Sequence, residues 1–167
     1  MSSRSVAISG TAGRTEGKTR IRRDLHLVLG PTGVGKTARS VQLASRYACP
    51  VVVLDRVQCH PRLAVGSGRP TARELRGTPR LYLDDRPVAQ GVISAPEAVD
   101  RLMEALKRMW DRDISRVVLE GGSISILEEL FRRPDWASDC VVAAECWGRA
   151  CRPPLPGRTG WRTAGRR

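Results

Sequence analysis

Eight consecutive residues, Gly30–Pro31–Thr32–Gly33–Val34–Gly35–Lys36–Thr37, satisfy the pattern G-x-x-x-x-G-K-[ST]. Each residue type in it has a chemical task. The glycines let the backbone wrap so that successive N–H groups and a helix N-terminus face an anion, while Lys36 adds a point charge and Thr37 a hydroxyl suited to Mg²⁺. A glycine-rich turn without a ligand would not need lysine and threonine at those two places. The run from Gly30 to Thr37 is therefore assigned to a diphosphate, with Thr37 as the candidate metal ligand. Such a loop does not say which phosphate is bound, or whether a phosphoryl group moves at all. Asp55 comes next. It follows an apolar run directly, at the sheet edge where ligands of open α/β folds gather. There it could hold Mg²⁺, accept a proton from a nucleophile, or cap a turn.

Other charged residues have weaker claims. Glu120 ends a predicted strand and could reach the same site. Asp84 and Asp85 read as a turn before Arg86–Pro87 rather than as paired catalytic carboxylates. Arg69 and Arg86, both beside prolines, could face a nucleotide phosphate or solvent. Arg101, Glu104, Lys107 and Arg108 read as a solvated helix face. Cys59 and His60 could offer adjacent metal ligands, but nothing near them completes a four-ligand zinc site.

The elements that must carry these residues alternate. Leu25–Leu29 predicts a strand, the glycine-rich loop a turn, and Thr37–Tyr47 a helix. Val51–Leu54 predicts a second strand. Ala98, Leu102, Ala105, Leu106 and Met109 recur at helical spacing, with Ser94 as N-cap and Pro96 in the first turn, which predicts a helix over about 95–111. Arg116–Leu119 predicts a strand, Gly121–Gly122 a turn, and Ser123 to Phe131 a helix, before another strand begins at Val141–Val142. Alternation of this kind implies a parallel sheet covered on both faces, a three-layer α/β arrangement of the P-loop NTPase type.

Charge and composition limit the rest. The 167 residues carry 29 Lys+Arg against 17 Asp+Glu, a net +12, yet residues 26–146 hold 17 basic groups against 15 acidic ones. The excess sits at the ends, so nucleic-acid binding by the body is not expected. Residues 1–23 lack the large apolar residues needed to offset ordering entropy and are expected to be a disordered arm. Residues 24–146 form the core, and 147–167, rich in Arg, Gly and Pro, are expected to be a disordered basic tail. No stretch approaches the roughly 18 apolar residues of a membrane helix, and a soluble, cytoplasmic chain is expected.

GPTGVGKT is followed by LDRVQCHP at 54–61, GSGRPT at 66–71, RLYLDDRP at 80–87 and LEGGSIS at 119–125. Together these resemble the bacterial adenylate isopentenyltransferases, the cytokinin-forming enzymes of plant-associated bacteria. The resemblance covers about 25–140 in order, without large gaps. The related tRNA dimethylallyltransferases share the phosphate loop and a D-x-x-Q element, matched by Asp55 and Gln58, but would not be expected to carry GSGRPT or LYLDDRP in this form. The resemblance implies alkylation: N6 of AMP attacks C1 of dimethylallyl diphosphate, or of a hydroxylated analogue, and diphosphate leaves. It also implies that Thr32 touches the bridging oxygen, Asp55 accepts the N6 proton, Ser67 with its neighbours contacts the adenine, and Ser123 lies on the nucleotide side. Lys36, Thr37 with Mg²⁺, and the loop amides would stabilise charge on the departing diphosphate.

Members of that family are longer, and after about Cys146 nothing matches. The sheet is therefore expected to be incomplete at the C-terminus, with part of the prenyl pocket and a diphosphate-gripping arginine missing, and transferase activity weak or absent. Three other functions compete with this one. A tRNA dimethylallyltransferase-like enzyme would prenylate tRNA instead of AMP. A P-loop nucleotide kinase would move the γ-phosphate of ATP, and an inactive shortened product would retain only a basic, RNA-binding tail.

Overall fold

The computed structural model describes residues 22–60 and 68–147. The proposed arm up to residue 21, Ser67, and the tail from 148 onward lie outside the described residues. In chain order the elements are β1 (Arg23–Leu29), α1 (Lys36–Tyr47), β2 (Val51–Leu54), α2 (Ala72–Leu75), β3 (Arg80–Tyr82), α3 (Ala95–Trp110), β4 (Arg116–Gly121), α4 (Ile124–Arg132) and β5 (Cys140–Cys146), with a short 3-10 turn at Val88–Gln90. The strands form one parallel sheet in the order β3-β2-β4-β1-β5. That is the architecture expected from the alternation of strand and helix patterns.

Strand periodicity explains the layers. Successive side chains point to opposite faces, so Leu25, Leu27, Leu29, Val52, Leu54, Val117 and Leu119 pack with Ala98, Val99, Leu102 and Leu106 of α3 and Ile126 and Leu130 of α4. The alternate residues Val28, Val51 and Val118 pack with Leu43 and Ala44 of α1. Both faces are dry, which is why the strands read as continuous apolar runs rather than alternating ones. Ser94 caps α3 by accepting from the Glu97 amide, and Pro96 occupies its first turn.

The structure corrects several boundaries. β1 begins at Arg23 rather than Leu25, because the charges at its exposed start are paired: Asp24 accepts from Arg22 and Arg116. β4 runs through Glu120 to Gly121, so Gly121 belongs to a strand and not to a turn. It is held in the ladder from both sides, opposite Leu29 of β1 and Leu54 of β2. A Cβ there would overlap the Leu54 carbonyl oxygen. Gly121→Ala is expected to lower stability by about 1–3 kcal/mol, as overpacking does, measured by urea unfolding. The edge strand β3 is too short to leave a periodic signal. The helix face expected to be only solvated is engaged at one point: Arg101 binds Asp84 at 2.8 Å and Glu97 at 3.1 Å.

The far edge is tied down by charge. Glu145 of β5 accepts from Arg39 of α1 at 2.6 and 2.8 Å and lies 3.0 Å from His26 Nε2 of β1. Burial would raise the Glu145 pKa, but the hydrogen bonds and charges of Arg39 and His26 outweigh it and bring the group down to about 2. A carboxylate whose folded pKa lies below its unfolded value stabilises fully above the unfolded value and loses that contribution as the pH falls through the folded one. Glu145 is thus expected to contribute about 3 kcal/mol near neutral pH, declining between roughly pH 4.5 and 2. Urea unfolding of wild type and Glu145→Gln should differ most above about pH 5, and the gap should close towards the acid limit.

Candidate functional site

Four strand ends meet at the carboxyl edge of the sheet, and glycine is what lets them meet. Gly30 follows β1, and its amide donates to the Gly121 carbonyl at 3.3 Å. A Cβ on Gly122 would overlap the Gly30 carbonyl oxygen, and one on Gly30 would overlap the carbonyl of Trp147. The end of β1 is therefore wedged between the ends of β4 and β5, and the end of β4 is pressed against that of β2. The phosphate loop leaves this junction and enters α1 through Gly35, whose φ of 91° lies in the left-handed region that favours glycine. Pro31, Thr32 and Gly33 are exposed in the loop and Val34 is half-buried. Gly35 offers no side-chain cap, so the first amides of α1 keep no side-chain partner at Gly35. Thr32 makes no hydrogen bond among the described residues.

Lys36 opens α1, and its Nζ donates to the Pro31 carbonyl at 2.7 Å, curling back over the loop. Burial lowers its pKa, and the negative charges of Glu120 and Asp55 act in the opposite direction. Both carboxylates therefore lie within electrostatic reach of the ammonium. Asp55 Oδ1 accepts from the amides of Val57 and Gln58 at 2.8 and 3.0 Å. The turn-capping role considered for this residue is thus real, and it fixes the carboxylate without using it up, since Oδ2 has no hydrogen bond among the described residues.

Thr37 reveals a partner that its motif does not announce. Its Oγ1 donates to Glu120 Oε1 at 2.9 Å. With its proton committed there, the hydroxyl keeps its lone pairs for a cation. Thr37 thus offers a hard oxygen of the kind Mg²⁺ takes, and Mg²⁺ is commonly held by few protein groups plus substrate phosphates and water. The hydroxyl, with its lone pairs left open, fits that ion. No cluster of three or more His, Cys, Asp or Glu side chains suited to a metal occurs among the described residues.

Glu120 is in turn gripped by Arg80 of β3, at 2.6 and 3.1 Å. The two side chains are only 2% and 4% exposed. Burial opposes the charge on Arg80, but Glu120 more than compensates and holds its pKa above the usual value. Arg80 opens the RLYLDDRP motif, but nothing in the motif assigns it a task, and its partner becomes visible only when the sheet brings β3 beside β2.

Ser123 stands at the head of α4 without capping it, 3.4 Å from Ser125 Oγ. Ser125 accepts from Arg56 at 3.4 Å, and Arg56 also donates to the Ile93 carbonyl at 2.5 Å. The turn after β2 is thereby tied to the start of α4. Ile124, the first residue of α4, is 71% exposed.

The two arginines considered for a nucleotide phosphate are engaged by the protein. Arg69 Nε donates to the Gln58 carbonyl at 2.6 Å, and its guanidinium lies 3.8 Å from the centre of the Tyr82 ring. Arg86 pairs with Asp84 and with Glu97. Asp84 is buried, which would raise its pKa, but Arg86, the Asp85 amide and Arg101 hold it below the usual carboxylate range. Asp84 is a structural anchor, in agreement with the turn assignment.

The profile of the family described as isopentenyl transferase matches residues 23–147. An adenylate dimethylallyltransferase of Agrobacterium tumefaciens strain Ach5 is 49% identical over 117 residues, 70% of this chain and 48% of the relative. An adenylate dimethylallyltransferase of Ralstonia nicotianae is 43% identical over 143 residues, 86% of this chain and 57% of the relative. The chain thus spans about half the length of these curated relatives. Among solved structures, a tRNA isopentenylpyrophosphate transferase of Bacillus halodurans superposes with a TM-score of 0.60 at 25% identity, covering 68% of this chain and 37% of that one. No helix among the described residues is long and apolar enough to cross a membrane.

Proposed function

Since the chain belongs to the isopentenyl transferase family, we propose that its site serves transfer of a dimethylallyl group from dimethylallyl diphosphate to N6 of AMP, the committed chemistry of cytokinin formation. One observation carries the proposal. A fixed carboxylate, Asp55, follows β2 at the same carboxyl edge of the parallel sheet from which the loop suited to a diphosphate leaves β1. This is a proton acceptor beside a leaving-group cradle, which is what alkylation of an amine by an allylic diphosphate requires.

In the reaction, the N6–C1 bond forms, the C1–O bond to diphosphate breaks, and the proton released from N6 goes to Asp55. Lys36, the loop amides of residues 32–37 and Thr32 at the bridging oxygen stabilise the charge growing on the diphosphate, where such preorganised donors are most effective. Thr37, its proton given to Glu120, would hold Mg²⁺, which would neutralise part of the diphosphate charge when bound. Ser67 and Ser123 are assigned to the nucleotide side. The apolar rim at Ile124 would help to keep water from the allylic carbon.

The adenylate-type relatives favour AMP as acceptor, and the likeness to a tRNA transferase makes tRNA the alternative to test. Incubation of the chain with dimethylallyl diphosphate, Mg²⁺ and either AMP or unmodified tRNA, followed by mass spectrometry, should yield prenylated AMP at a low rate, in keeping with the weak activity expected from the sequence. Prenylated tRNA alone would reassign the acceptor. Absence of both products, with no diphosphate binding, would reject the proposed chemistry.

A further inference from the structure

Beneath the phosphate loop lies an ion pair that the proposed reaction does not yet use. Arg80 starts β3 opposite Val51 of β2, and Glu120 lies opposite Val53 on the other side of the same strand. The Arg80 side chain therefore spans β2 on the face that α1 covers, where Val51 and Val118 pack. It ends on both oxygens of Glu120. Its terminal nitrogen is also 3.5 Å from Gln58 Oε1, in the turn that Asp55 caps. Its Nε is buried without a hydrogen-bond partner.

This is a costly arrangement for a merely structural element. A buried ion pair often adds no stability over well-packed apolar residues of similar volume, and an unpaired buried N–H adds a further cost. Apolar neighbours are abundant on this face, so packing alone did not require charge. Beyond each other, the charged groups reach Gln58 through Arg80 and, more closely, Thr37 of the phosphate loop through Glu120. A carboxylate clamped through both oxygens cannot rotate away, so Glu120 Oε1 remains the acceptor for the Thr37 proton at 2.9 Å.

We propose that Arg80 is a positioning residue of the phosphate site: by clamping Glu120 it fixes the Thr37 hydroxyl with its lone pairs turned to the cation that accompanies the diphosphate. It touches neither substrate nor metal and acts through Glu120 and Thr37. The proposal rests on the assignment of the loop to a Mg²⁺-bound diphosphate and deepens it.

The test uses inorganic diphosphate as the probe and the full 167-residue chain. Titration calorimetry with Mg²⁺ and with EDTA gives the ratio of the two affinities, which isolates the metal-dependent part of binding. Removing a group that orients a metal ligand typically costs about 10–100-fold. The ratio should therefore fall about tenfold or more in Arg80→Met, with Arg80→Lys, which keeps the charge but loses the fork, lying between. Because Arg80→Met strands Glu120 and risks unfolding, the deciding variant is the double replacement Arg80→Met with Glu120→Leu. It leaves the net charge unchanged and removes both buried charges, a change that cores commonly tolerate. A folded double variant, checked by circular dichroism, that has lost the Mg²⁺ enhancement supports the proposal. One that keeps the wild-type ratio overturns it while leaving the diphosphate assignment intact. No diphosphate binding by wild type overturns the assignment itself and the proposal with it.

Discussion

Asp55→Asn is expected to lower the rate at which the chain prenylates AMP by about 10²–10⁴-fold, the range over which a positioned general base contributes, while the fold is retained. The substitution separates the two tasks of this side chain. An asparagine keeps an oxygen where Oδ1 stands, so the amides of Val57 and Gln58 keep their acceptor and the turn after β2 stays closed. What it lacks is an ionised oxygen able to take a proton. The loss should therefore fall on the rate constant, with little change in the affinity for diphosphate, since Lys36 and the loop remain. Asp55→Ala removes both tasks and should also destabilise, because two amides lose their partner. Single-turnover product formation together with thermal unfolding of the two variants distinguishes these effects. An Asn variant as active as wild type would remove Asp55 from the reaction.

Lys36→Ala is expected to weaken diphosphate binding by roughly 10²-fold or more, since it removes charge-assisted hydrogen bonds worth about 1.5–3 kcal/mol each. This ammonium is partly desolvated, and among the described residues its hydrogen bond goes to the Pro31 carbonyl. An anion in the loop would supply the counter-charge that burial now withholds. Arginine should rescue poorly, because its planar fork does not replace a compact ammonium that folds back over the loop. Calorimetric titration with diphosphate and Mg²⁺ reads the loss directly. Stability should change little, as Lys36 contributes a single hydrogen bond to a neighbouring loop carbonyl. Unaltered affinity would mean that the phosphate lies elsewhere.

The two predictions differ in how far the sequence alone supports them. Lys36 is legible because its motif is local: glycines, lysine and threonine within eight residues prescribe a loop, a helix start and an anion site together. Asp55 is legible by position, as the polar residue that ends an apolar run. Its double duty is not, since the capping of Val57 and Gln58 depends on how the turn closes. Arg69 and Arg86 were open between nucleotide and solvent, and each instead found a partner inside the protein, Tyr82 for one and Asp84 with Glu97 for the other.

By itself the sequence determined the local features of this protein: two covered faces from unbroken apolar strands, the phosphate loop, the start of α3 from Ser94 and Pro96, and the family from five motifs in order. These depend on backbone preference and on neighbours a few residues apart, which a linear pattern records. Only the tertiary structure decided that Thr37 gives its proton to Glu120, 83 positions away, and that Arg80, 40 positions from Glu120, clamps it from the edge strand. The reason is the sheet order. Parallel crossovers place β4 between β1 and β2, and β3 outside β2, so residues that share the site come from four strand ends. Their contact is set by register across the ladder and by the glycines that let those ends touch, and spacing along the chain carries neither.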